Sequence, residues 1–482
     1  MDSIYEKCKE SSNIVIYGAG AIANLFFLSL VNQGLDDKVL CFTVTEMLNN
    51  EKTKYGKRVV EYCQLSSWAD VLIVIATQKI NHPYIEKYIT ERKCKNYVLV
   101  DEEKLIRDYY GKLYEKTIEA RTILFMNLGG RGYGGNPKYI AEEFRKRNIE
   151  FSENQKVHLI WAVSDEREEN GIPEDIEVVE IGSQRYYEKL ATSQVWVDNV
   201  RKSGDVRKRN GQIYVQAWHG AAPIKKVEKD VEDKLPLFYV VNAKRDSYMA
   251  DLFLSGSAFY TELYKKSFWY DGEIMKVGLP RQDVFWNTDI AKKKVYDYYH
   301  LKNDDKLILY APTFRSDYSN GAYDLDIDGV LRALRKRFGG KYVCAVSKHP
   351  DNIEIQYQLV HASNIIQVEK YPDFEELLAA ADILISDYSG CVYDFSFTER
   401  PIFLYQKDIE LYMTDRNFYI PLEKMPYIRA TSNQELQEQI MTFDYERYKE
   451  NLRQFMDGMK NYDDGNASRK VVDRILELME KR

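Results

Sequence analysis

Short apolar segments, each followed by a turn and then by a helix-like segment, recur along this chain and constrain its fold more than any other feature. Residues 13–17, 71–76, 306–311 and 383–386 are examples of these segments. Their length and continuous hydrophobicity are typical of strands that are buried on both faces of a parallel sheet. Because parallel strands are joined by crossover helices, the pattern predicts an α/β protein built from Rossmann-like units.

The length of the chain and the spacing of these segments indicate three units. At about 150 residues per domain, the 482 residues correspond to three domains. We predict an accessory Rossmann-like domain at residues 1–120, a first α/β half at 121–290 and a second α/β half at 291–482. Two such halves enclose a cleft, and ligands of parallel sheets bind at the carboxyl ends of the strands. Residues 236–242 are predicted to form a further strand of the first half.

Composition and charge exclude several classes of protein. The 68 Lys and Arg residues against 75 Asp and Glu residues leave a net charge of −7, which argues against a nucleic-acid-binding protein. The six cysteines are scattered without a C-x-x-C pair, so neither a zinc site nor a disulfide framework is expected. The sequence contains no recognisable signal peptide and no apolar run near the ~20 residues that cross a membrane. We therefore expect a cytoplasmic protein.

Two glycine-rich turns follow predicted strands. The turn from Gly18 to Ala23 reads GAGAIA and lies between a strand and a helix-like segment, which is the context in which a G-x-G-x-x-A pattern binds a nucleotide. Turns of this kind also serve for packing alone, so nucleotide binding at Gly18 and Gly20 and a structural turn both remain open. Residues 129–135 contain five glycines, as do loops that approach a ligand and some surface loops.

A histidine stands at the end of another predicted strand. Residues 212–227 read QIYVQAWHGAAPIKKV, so Trp218, His219 and Gly220 follow the strand, and Lys225 and Lys226 come after the turn. Histidine titrates near neutral pH and suits a general base that takes a proton from an alcohol. A structural histidine at a strand end is the alternative interpretation.

Two more predicted strands end in groups that can hold a phosphate. Thr313 and Arg315 follow the strand at residues 306–311, and Lys348 and His349 follow the strand at residues 342–346. Hydroxyl, guanidinium, ammonium and imidazole groups all bind phosphate oxygens. Because the carboxyl ends of parallel strands share one edge of a sheet, these positions predict an anion-binding cleft.

The segment at residues 381–401 combines a strand end with the start of a helix. Ser389 and Gly390 follow the strand, and the helix-like segment after them would aim its free N–H groups at the cleft, where they suit a diphosphate. Asp394 lies about one turn further on, where a carboxylate can accept hydrogen bonds from ribose hydroxyls. The alternatives are that Ser389 is a helix cap and that Asp394 is a surface acid.

Eight short motifs occur in a fixed order from residue 122 onward. They are Arg131 with Asn136-Pro137, Gly182-Ser183, QIYVQAWHG with two following lysines, GLPRQD at 278–283, YAPTFR at 310–315, KHP at 348–350, SDYS at 386–389 with Asp394-Phe395, and DGNAS at 464–468. With these motifs the chain resembles the CDP-glycerol glycerophosphotransferases, enzymes of teichoic-acid and capsule synthesis. The unit before residue 120 lies outside the resemblance.

The resemblance implies a GT-B-like architecture, in which two Rossmann-like halves face a cleft and the second half holds the nucleotide. It implies transfer of glycerol phosphate, or of a related polyol phosphate, from a CDP-linked donor to an acceptor hydroxyl, with release of CMP. His219 would be the base, and His349 and Arg315 would stabilise the diphosphate. The positions that would bind the donor, contact its ribose or brace the cleft are Thr313, Lys348, Ser389, Gly390, Asp394, Arg281 and Asp283.

This interpretation requires no metal. Phosphoryl transfer needs chiefly positioning and charge stabilisation, which Arg, Lys, His and a helix N-terminus supply, and the sequence shows no acidic cluster suited to Mg²⁺. Two positions depart from the family's pattern. Ala221-Ala222 stand where a Thr commonly follows Trp-His-Gly. This difference leaves open which acceptor or which polyol the protein uses. Ser389-Gly390 stand where two serines often follow Asp-Tyr, which removes a hydroxyl but leaves the backbone donors.

The family works at the membrane surface, so the resemblance implies a lipid-linked or polymeric acceptor and a peripheral position at the inner face of the cell membrane. Residues 201–209 carry five basic residues and one acid, and a second basic run consists of Arg332, Arg335, Lys336 and Arg337. Basic clusters bind anionic lipid at about 1 kcal/mol per charge. Ordinary solvated loops and helices carry such runs as well.

Two other functions remain open at this point. A glycosyltransferase of the same fold that uses a nucleotide sugar would attack carbon and release a nucleoside diphosphate. A non-catalytic binding protein that retains the fold would release no nucleotide. The nucleotide that is released therefore separates the three hypotheses.

Overall fold

Three sheets form the core of the protein in the computed structural model. The structure describes residues 1–47, 50–65, 71–165, 171–220, 226–313, 324–347, 364–368, 370–410 and 418–481. Of the helices within these ranges, none combines the length and the apolarity needed to span a bilayer.

The first sheet has six strands in the order β3-β4-β2-β1-β5-β6, all parallel except the β3–β4 pair. The strands are β1 (Asn13–Tyr17), β2 (Val39–Val44), β3 (Thr53–Lys54), β4 (Lys57–Glu61), β5 (Val71–Ile75) and β6 (Tyr97–Leu99). The helices are α1 (Asp2–Glu10), α2 (Ala21–Val31), α3 (His82–Glu91) and α4 (Glu102–Leu113). Ile14 and Ile16 join one apolar cluster while Val15 and Tyr17 join another, so β1 is buried on both faces, as its sequence predicts.

The second sheet has seven parallel strands in the order β13-β12-β11-β10-β7-β8-β9. The strands are β7 (Glu119–Met126), β8 (His158–Val163), β9 (Glu177–Glu180), β10 (Ser193–Asp198), β11 (Ile213–Gln216), β12 (Leu252–Ser255) and β13 (Glu273–Lys276). The helices are α5 (Gly135–Glu150), α6 (Gln184–Thr192), α7 (Leu237–Met249) and α8 (Ala258–Ser267).

The third sheet has six parallel strands in the order β16-β15-β14-β17-β18-β19. The strands are β14 (Asp305–Tyr310), β15 (Lys341–Val346), β16 (Ile365–Gln367), β17 (Ile383–Ser386), β18 (Ile402–Tyr405) and β19 (Ile428–Ala430). The helices are α9 (Thr288–Tyr299), α10 (Ile327–Phe338), α11 (Phe374–Ala380), α12 (Cys391–Ser396), α13 (Asn433–Met441), α14 (Tyr445–Met459) and α15 (Ala467–Lys481).

The last helix, α15, returns from the third sheet to pack against the second. Arg147 of α5 pairs with Asp473 of α15 at 2.8 Å, and Gln194 Nε2 donates to the carbonyl of Met479 at 3.0 Å. Two chain segments therefore join these sheets, residues 277–287 on the outward path and 460–466 on the way back. The predicted range 291–482 thus includes a helix that belongs to the second sheet by its packing.

The first sheet packs directly on the second. One apolar cluster contains side chains from both. The rings of Tyr109 and Tyr187 meet edge to face with centroids 5.5 Å apart, and the hydroxyl of Tyr55 donates to the carbonyl of Gly182 at 2.6 Å. The N-terminal unit therefore packs against the second sheet through apolar, aromatic and hydrogen-bond contacts.

Residues 237–242 are helical, so the strand predicted for 236–242 is wrong. Helix α7 buries Val240, Ala243 and Ser247, which follow one another at helical spacing. Leu237 and Val241 lie on the opposite side of the helix and are exposed, at 63% and 47%. Because apolar residues occupy both faces of the first turns, the local sequence lacks the period that distinguishes a helix from a strand.

Candidate active site

His219 lies just beyond the carboxyl end of β11, near the middle of the second sheet. The four residues of β11 are fully buried, and Trp218 after it adopts a positive φ of 47°. The side-chain amide of Asn136 donates to the carbonyls of Ala217 and Trp218, both at 2.9 Å. These two hydrogen bonds hold the turn in place. His219, the next residue, is exposed at the surface of the protein.

The hydrogen bond of the His219 ring defines which nitrogen is free. Nδ1 lies 2.9 Å from the carbonyl oxygen of Asn199, and because a carbonyl only accepts, Nδ1 carries the hydrogen. In the neutral ring Nε2 then has a lone pair. Although part of the residue reaches solvent, the protein atoms packed around the imidazole desolvate it and lower the pKa of His219, and Arg281 and Arg201 lower this pKa further. The ring is thus suited to accept a proton through Nε2 near neutral pH.

Arg281 connects the second and third sheets beside this histidine. Its Nη1 donates to the carbonyl of His219 at 2.6 Å, and its Nη2 donates to Oδ2 of Asp394 at 3.0 Å. Its backbone N–H donates to Oδ1 of Asn136 at 3.1 Å. Arg281 is therefore bonded to the turn that carries the histidine and to the helix that carries Asp394.

Asp394 is a buried partner of this arginine. Its Oδ1 accepts from Gln282 Nε2 at 2.7 Å, and the residue is 4% exposed. Burial raises the pKa of Asp394, while Arg281 lowers it. Both carboxylate oxygens already accept hydrogen bonds, so the ribose contact that the sequence predicts would be an additional one, and it stays a prediction.

Two carboxylates hold the segments that join the halves. Asp283 accepts hydrogen bonds from the backbone N–H groups of Ala467 and Ser468, at 2.9 and 2.8 Å, where α15 begins. Asp463 on the return path accepts from the N–H of Leu279 at 2.7 Å. The outward segment is thus bonded to the start of α15 and to the return segment. The bracing role of Asp283 stays a prediction.

Three of the residues predicted to bind the donor, Thr313, Ser389 and Gly390, lie at the carboxyl edge of the third sheet. Thr313 follows β14, and its hydroxyl donates to Oδ2 of Asp387 at 2.9 Å. Ser389 and Gly390 precede α12, both are half-buried, and the N–H of Cys391 lies 3.4 Å from the Ser389 hydroxyl. Arg315, Lys348 and His349, together with Ala221 and Ala222, lie outside the described residues. The donor roles stay predictions.

The basic segment at residues 201–209 does not offer the free surface that the sequence suggests. Its pairs are Arg201 with Asp246 and Glu228, Lys202 with Asp198, Arg207 with Glu103, Lys208 with Asp251, and Arg209 with the carbonyl of Lys116. All five basic side chains are buried or half-buried. Acids distant in sequence face Arg201, Arg207 and Lys208, whereas Lys202 pairs with the nearby Asp198 and Arg209 with a backbone carbonyl.

The glycine turn of the first sheet has a packing role. Gly18 has a φ of +123°, and a Cβ there would lie 2.6 Å from the carbonyl oxygen of Ala76, so only glycine fits. Gly20 precedes α2 and has open space around it. Nucleotide binding at Gly18 and Gly20 stays a prediction. Across the described ranges no group of three or more His, Cys, Asp or Glu side chains is placed to hold a metal ion.

Sequence reasoning missed Asn199 and Gln282. Asn199 follows β10, so it lies at the same edge of the sheet as His219, and that position was an available signal. Gln282 follows Arg281 directly within the GLPRQD motif. The contacts of both residues depend on partners far away in sequence.

Asp463 is predicted to make stability depend on pH. Its buried Oδ2 has no hydrogen-bond partner among the described residues, and desolvation raises its pKa to about 8. The unfolded carboxyl titrates near pH 4, so the native state binds more protons between these values. The stability that this group contributes is complete below about pH 4 and is lost as the pH rises to 8.

Asp463→Asn is therefore expected to raise the free energy of unfolding at pH 9 and to leave it nearly unchanged at pH 4, in urea titrations. The control is Asp464→Asn, because Lys470 lowers the pKa of the exposed Asp464. That variant should lose stability at neutral pH. Parallel pH curves for Asp463→Asn and the parent protein would refute the assignment.

Comparison with known proteins gives the family. Residues 109–477 match the family described as CDP-Glycerol:Poly(glycerophosphate) glycerophosphotransferase. The chain belongs to this family. The match covers the motifs from Arg131 to residues 464–468, so the resemblance found in the sequence is confirmed.

The chain is similar to teichoic acid polymerases. The teichoic acid poly(glycerol phosphate) polymerase of Staphylococcus epidermidis is 30% identical over 410 residues, which are 80% of this chain and 54% of the relative. That of Bacillus subtilis strain 168 is 28% identical over 423 residues, which are 81% of this chain and 54% of the relative. The chain thus spans about half the length of these relatives.

A solved structure supports the architecture. The wall teichoic acid polymerase TagF matches with a TM-score of 0.69 at 28% identity, covering 84% of this chain and 99% of that chain. Together with the parallel sheets and the returning helix α15, this likeness confirms the predicted GT-B-like α/β architecture.

Proposed function

We propose that the protein transfers glycerol phosphate, or a related polyol phosphate, from a CDP-linked donor to an acceptor hydroxyl in the synthesis of a teichoic-acid or capsule-type polymer. The observation that carries the proposal is the setting of His219. Its Nδ1 is held by a carbonyl, and its Nε2 makes no hydrogen bond to any residue that the structure describes. Its main chain is bonded to Arg281, which contacts Asp394 of the third sheet. Family membership gives the chemistry that this base would serve.

In the proposed reaction the acceptor hydroxyl gives its proton to Nε2 of His219. The acceptor oxygen forms a bond to the phosphorus that carries the polyol. The bond from this phosphorus to the oxygen that bridges to the cytidylate breaks, and CMP leaves with that oxygen and its electron pair. The base is thus needed at the second sheet and the anion-binding groups at the third.

The donor diphosphate is proposed to lie at the carboxyl edge of the third sheet. By the family resemblance, Arg315, Lys348 and His349 supply positive charge, and the backbone N–H groups after Ser389 and Gly390 face the diphosphate. Thr313 is proposed to shape the strand end that leads to Arg315, because its hydroxyl is committed to Asp387. Among the described residues other than its chain neighbours, none lies within 4 Å of the position of a Cβ at Gly390, which supports an approach of the ligand to the backbone.

We further propose a peripheral position at the inner face of the cell membrane and a lipid-linked or polymeric acceptor. The second predicted basic run supports the membrane contact, because Arg332, Arg335, Lys336 and Arg337 are all exposed on α10. A run of exposed cationic side chains on one helix suits the surface of an anionic bilayer.

The double variant Arg335→Gln, Lys336→Gln is expected to weaken binding to vesicles that contain anionic lipid. At about 1 kcal/mol per charge, the loss is about 30-fold in the partition constant, measured by co-sedimentation at fixed salt. The matched control is Lys87→Gln, Lys95→Gln, two exposed lysines of the N-terminal unit. Equal losses in both double variants, or no vesicle binding by the parent protein, would refute the proposed contact.

The activity is tested by incubating the protein with CDP-glycerol, CDP-ribitol and nucleotide sugars, each with a lipid-linked acceptor present. We expect CMP to be released from at least one CDP-polyol and from none of the nucleotide sugars. Turnover of a nucleotide sugar with release of a nucleoside diphosphate would refute the proposal in favour of a glycosyltransferase. No release from any donor in the presence of acceptor would favour a non-catalytic protein.

A further inference from the structure

Two buried asparagines connect the glycine-rich loop to the main chain beside His219. Asn127 follows β7 and Asn199 follows β10, and they are 5% and 1% exposed. Nδ2 of Asn199 donates to Oδ1 of Asn127 at 2.7 Å, and Oδ1 of Asn199 accepts from the N–H of Leu128 at 2.8 Å. Nδ2 of Asn127 in turn donates to the carbonyl of Arg131 at 2.7 Å. The side-chain amides thus form a bridge between two strand ends.

This amide bridge also determines the geometry of the loop. Gly135 has a φ of +59°, and a Cβ there would lie 2.8 Å from Oδ1 of Asn127 and 2.9 Å from Nδ2 of Asn199. No larger residue fits without moving the amides. The loop is therefore hydrogen-bonded to the pair at Leu128 and Arg131 and lies close against it at Gly135.

The backbone of Asn199 is fixed as firmly as its side chain. Its N–H donates to Oδ1 of Asp198 at 2.7 Å, and Oδ2 of that buried acid binds Lys202 at 2.8 Å. The carbonyl of Asn199 is the acceptor for Nδ1 of His219. The chain of contacts that begins in the glycine-rich loop therefore ends on the imidazole.

We propose that Asn199 is a positioning residue for His219: its amide pair with Asn127 holds its own carbonyl against Nδ1, so that Nε2 faces the acceptor. The inference rests on the proposed function, because it assigns His219 the role of base. Asn199 itself touches neither the acceptor nor the donor in this account. Asn199 selects the tautomer and the orientation of the His219 ring. It also fixes the position of this ring relative to the glycine-rich loop.

Asn199→Ala removes both side-chain hydrogen bonds and leaves the backbone at this position held only by Asp198. We expect kcat for CMP release to fall about 10²-fold, the cost of a displacement near 1 Å at a reacting group. We also expect the acid limb of the pH–rate profile to move to lower pH, because the hydrogen bond to the Asn199 carbonyl raises the pKa of His219 in the parent protein. Loss of stability alone would leave the position of this limb unchanged.

The matched control is Asn148→Ala in the same half of the protein. The amide of Asn148 also makes two hydrogen bonds, to the carbonyl and the N–H of Val157 at 2.8 and 2.9 Å, far from His219. This variant should lose similar stability and keep the kcat and the pH profile of the parent. The inference would be overturned if the acid limb of the pH–rate profile of Asn199→Ala lay at the same pH as in the parent protein. Equal losses of kcat in Asn199→Ala and Asn148→Ala would also overturn it.

A second measurement does not depend on turnover. Nitrogen-15 NMR of the parent protein, with His219→Ala for assignment, should show the neutral ring of His219 protonated at Nδ1. Protonation at Nε2 would overturn the inference even if the enzyme is active. If the parent instead releases no CMP from any donor, the proposed function fails while the tautomer result still stands on its own.

Discussion

His219→Ala is expected to lower kcat for polyol-phosphate transfer by about 10²- to 10⁴-fold, the usual contribution of a general base. Binding of the CDP-linked donor should change little, because the proposed donor site lies at the third sheet. The parent rate should fall on the acid side of neutrality, where the imidazole becomes protonated. Initial rates of CMP release and calorimetric titration with the donor measure the two effects separately.

His158→Ala provides the control for this substitution. His158 is the first residue of β8 and lies at the amino ends of the strands, whereas His219 lies at their carboxyl ends. Nε2 of His158 lies 3.1 Å from a carboxylate oxygen of Glu177. We expect its rate to equal that of the parent protein. A His219→Ala variant that retains the parental kcat would refute the assignment of the base, and so would an equal loss in both variants.

Arg281→Met is expected to destabilise the protein by about 3 to 5 kcal/mol, as measured by the free energy of unfolding in urea. This is the usual cost of removing one partner of a buried ion pair. The substitution leaves the carboxylate of Asp394 without its cation and the carbonyl of His219 without its donor. Activity should fall as well, because the turn that carries the base loses a contact.

The exposed pair of Arg453 and Glu399 is the matched control. Arg453 makes two hydrogen bonds to Glu399 at 2.7 and 2.8 Å, but its side chain is 58% exposed. Arg453→Met should therefore have little effect. In the double variant Arg281→Met, Asp394→Asn, the loss should be smaller than the sum of the single losses, since the two side chains interact. Additive losses would contradict a direct pair.

Buried strands were the part of the fold that local sequence predicts best. The segments at 13–17 and 383–386 coincide with β1 and β17, because a strand buried on both faces needs an uninterrupted apolar run. The same reasoning fails for α7. Its first turns are apolar on the exposed side as well as on the buried side, so the run at 237–241 resembles a strand.

The position of the candidate site followed from topology, whereas its contacts did not. His219 and Thr313 lie at strand ends, as the sequence predicts, since carboxyl ends converge in parallel sheets. The bond from Arg281 to Asp394 joins residues 113 positions apart, and no local pattern specifies which acid will face which arginine. Arg201, Arg207 and Lys208 likewise pair with acids from other parts of the chain, so the local sequence shows their charges but not their partners.

Identification of the released nucleotide tests the central claim most directly. The parent protein and His219→Ala are each incubated with the CDP-polyol that supports turnover and with a lipid-linked acceptor, and the products are separated chromatographically. We expect one CMP for each polyol phosphate added to the acceptor, and almost none from the variant. Release of CDP, or CMP release by the variant at the parental rate, would contradict it.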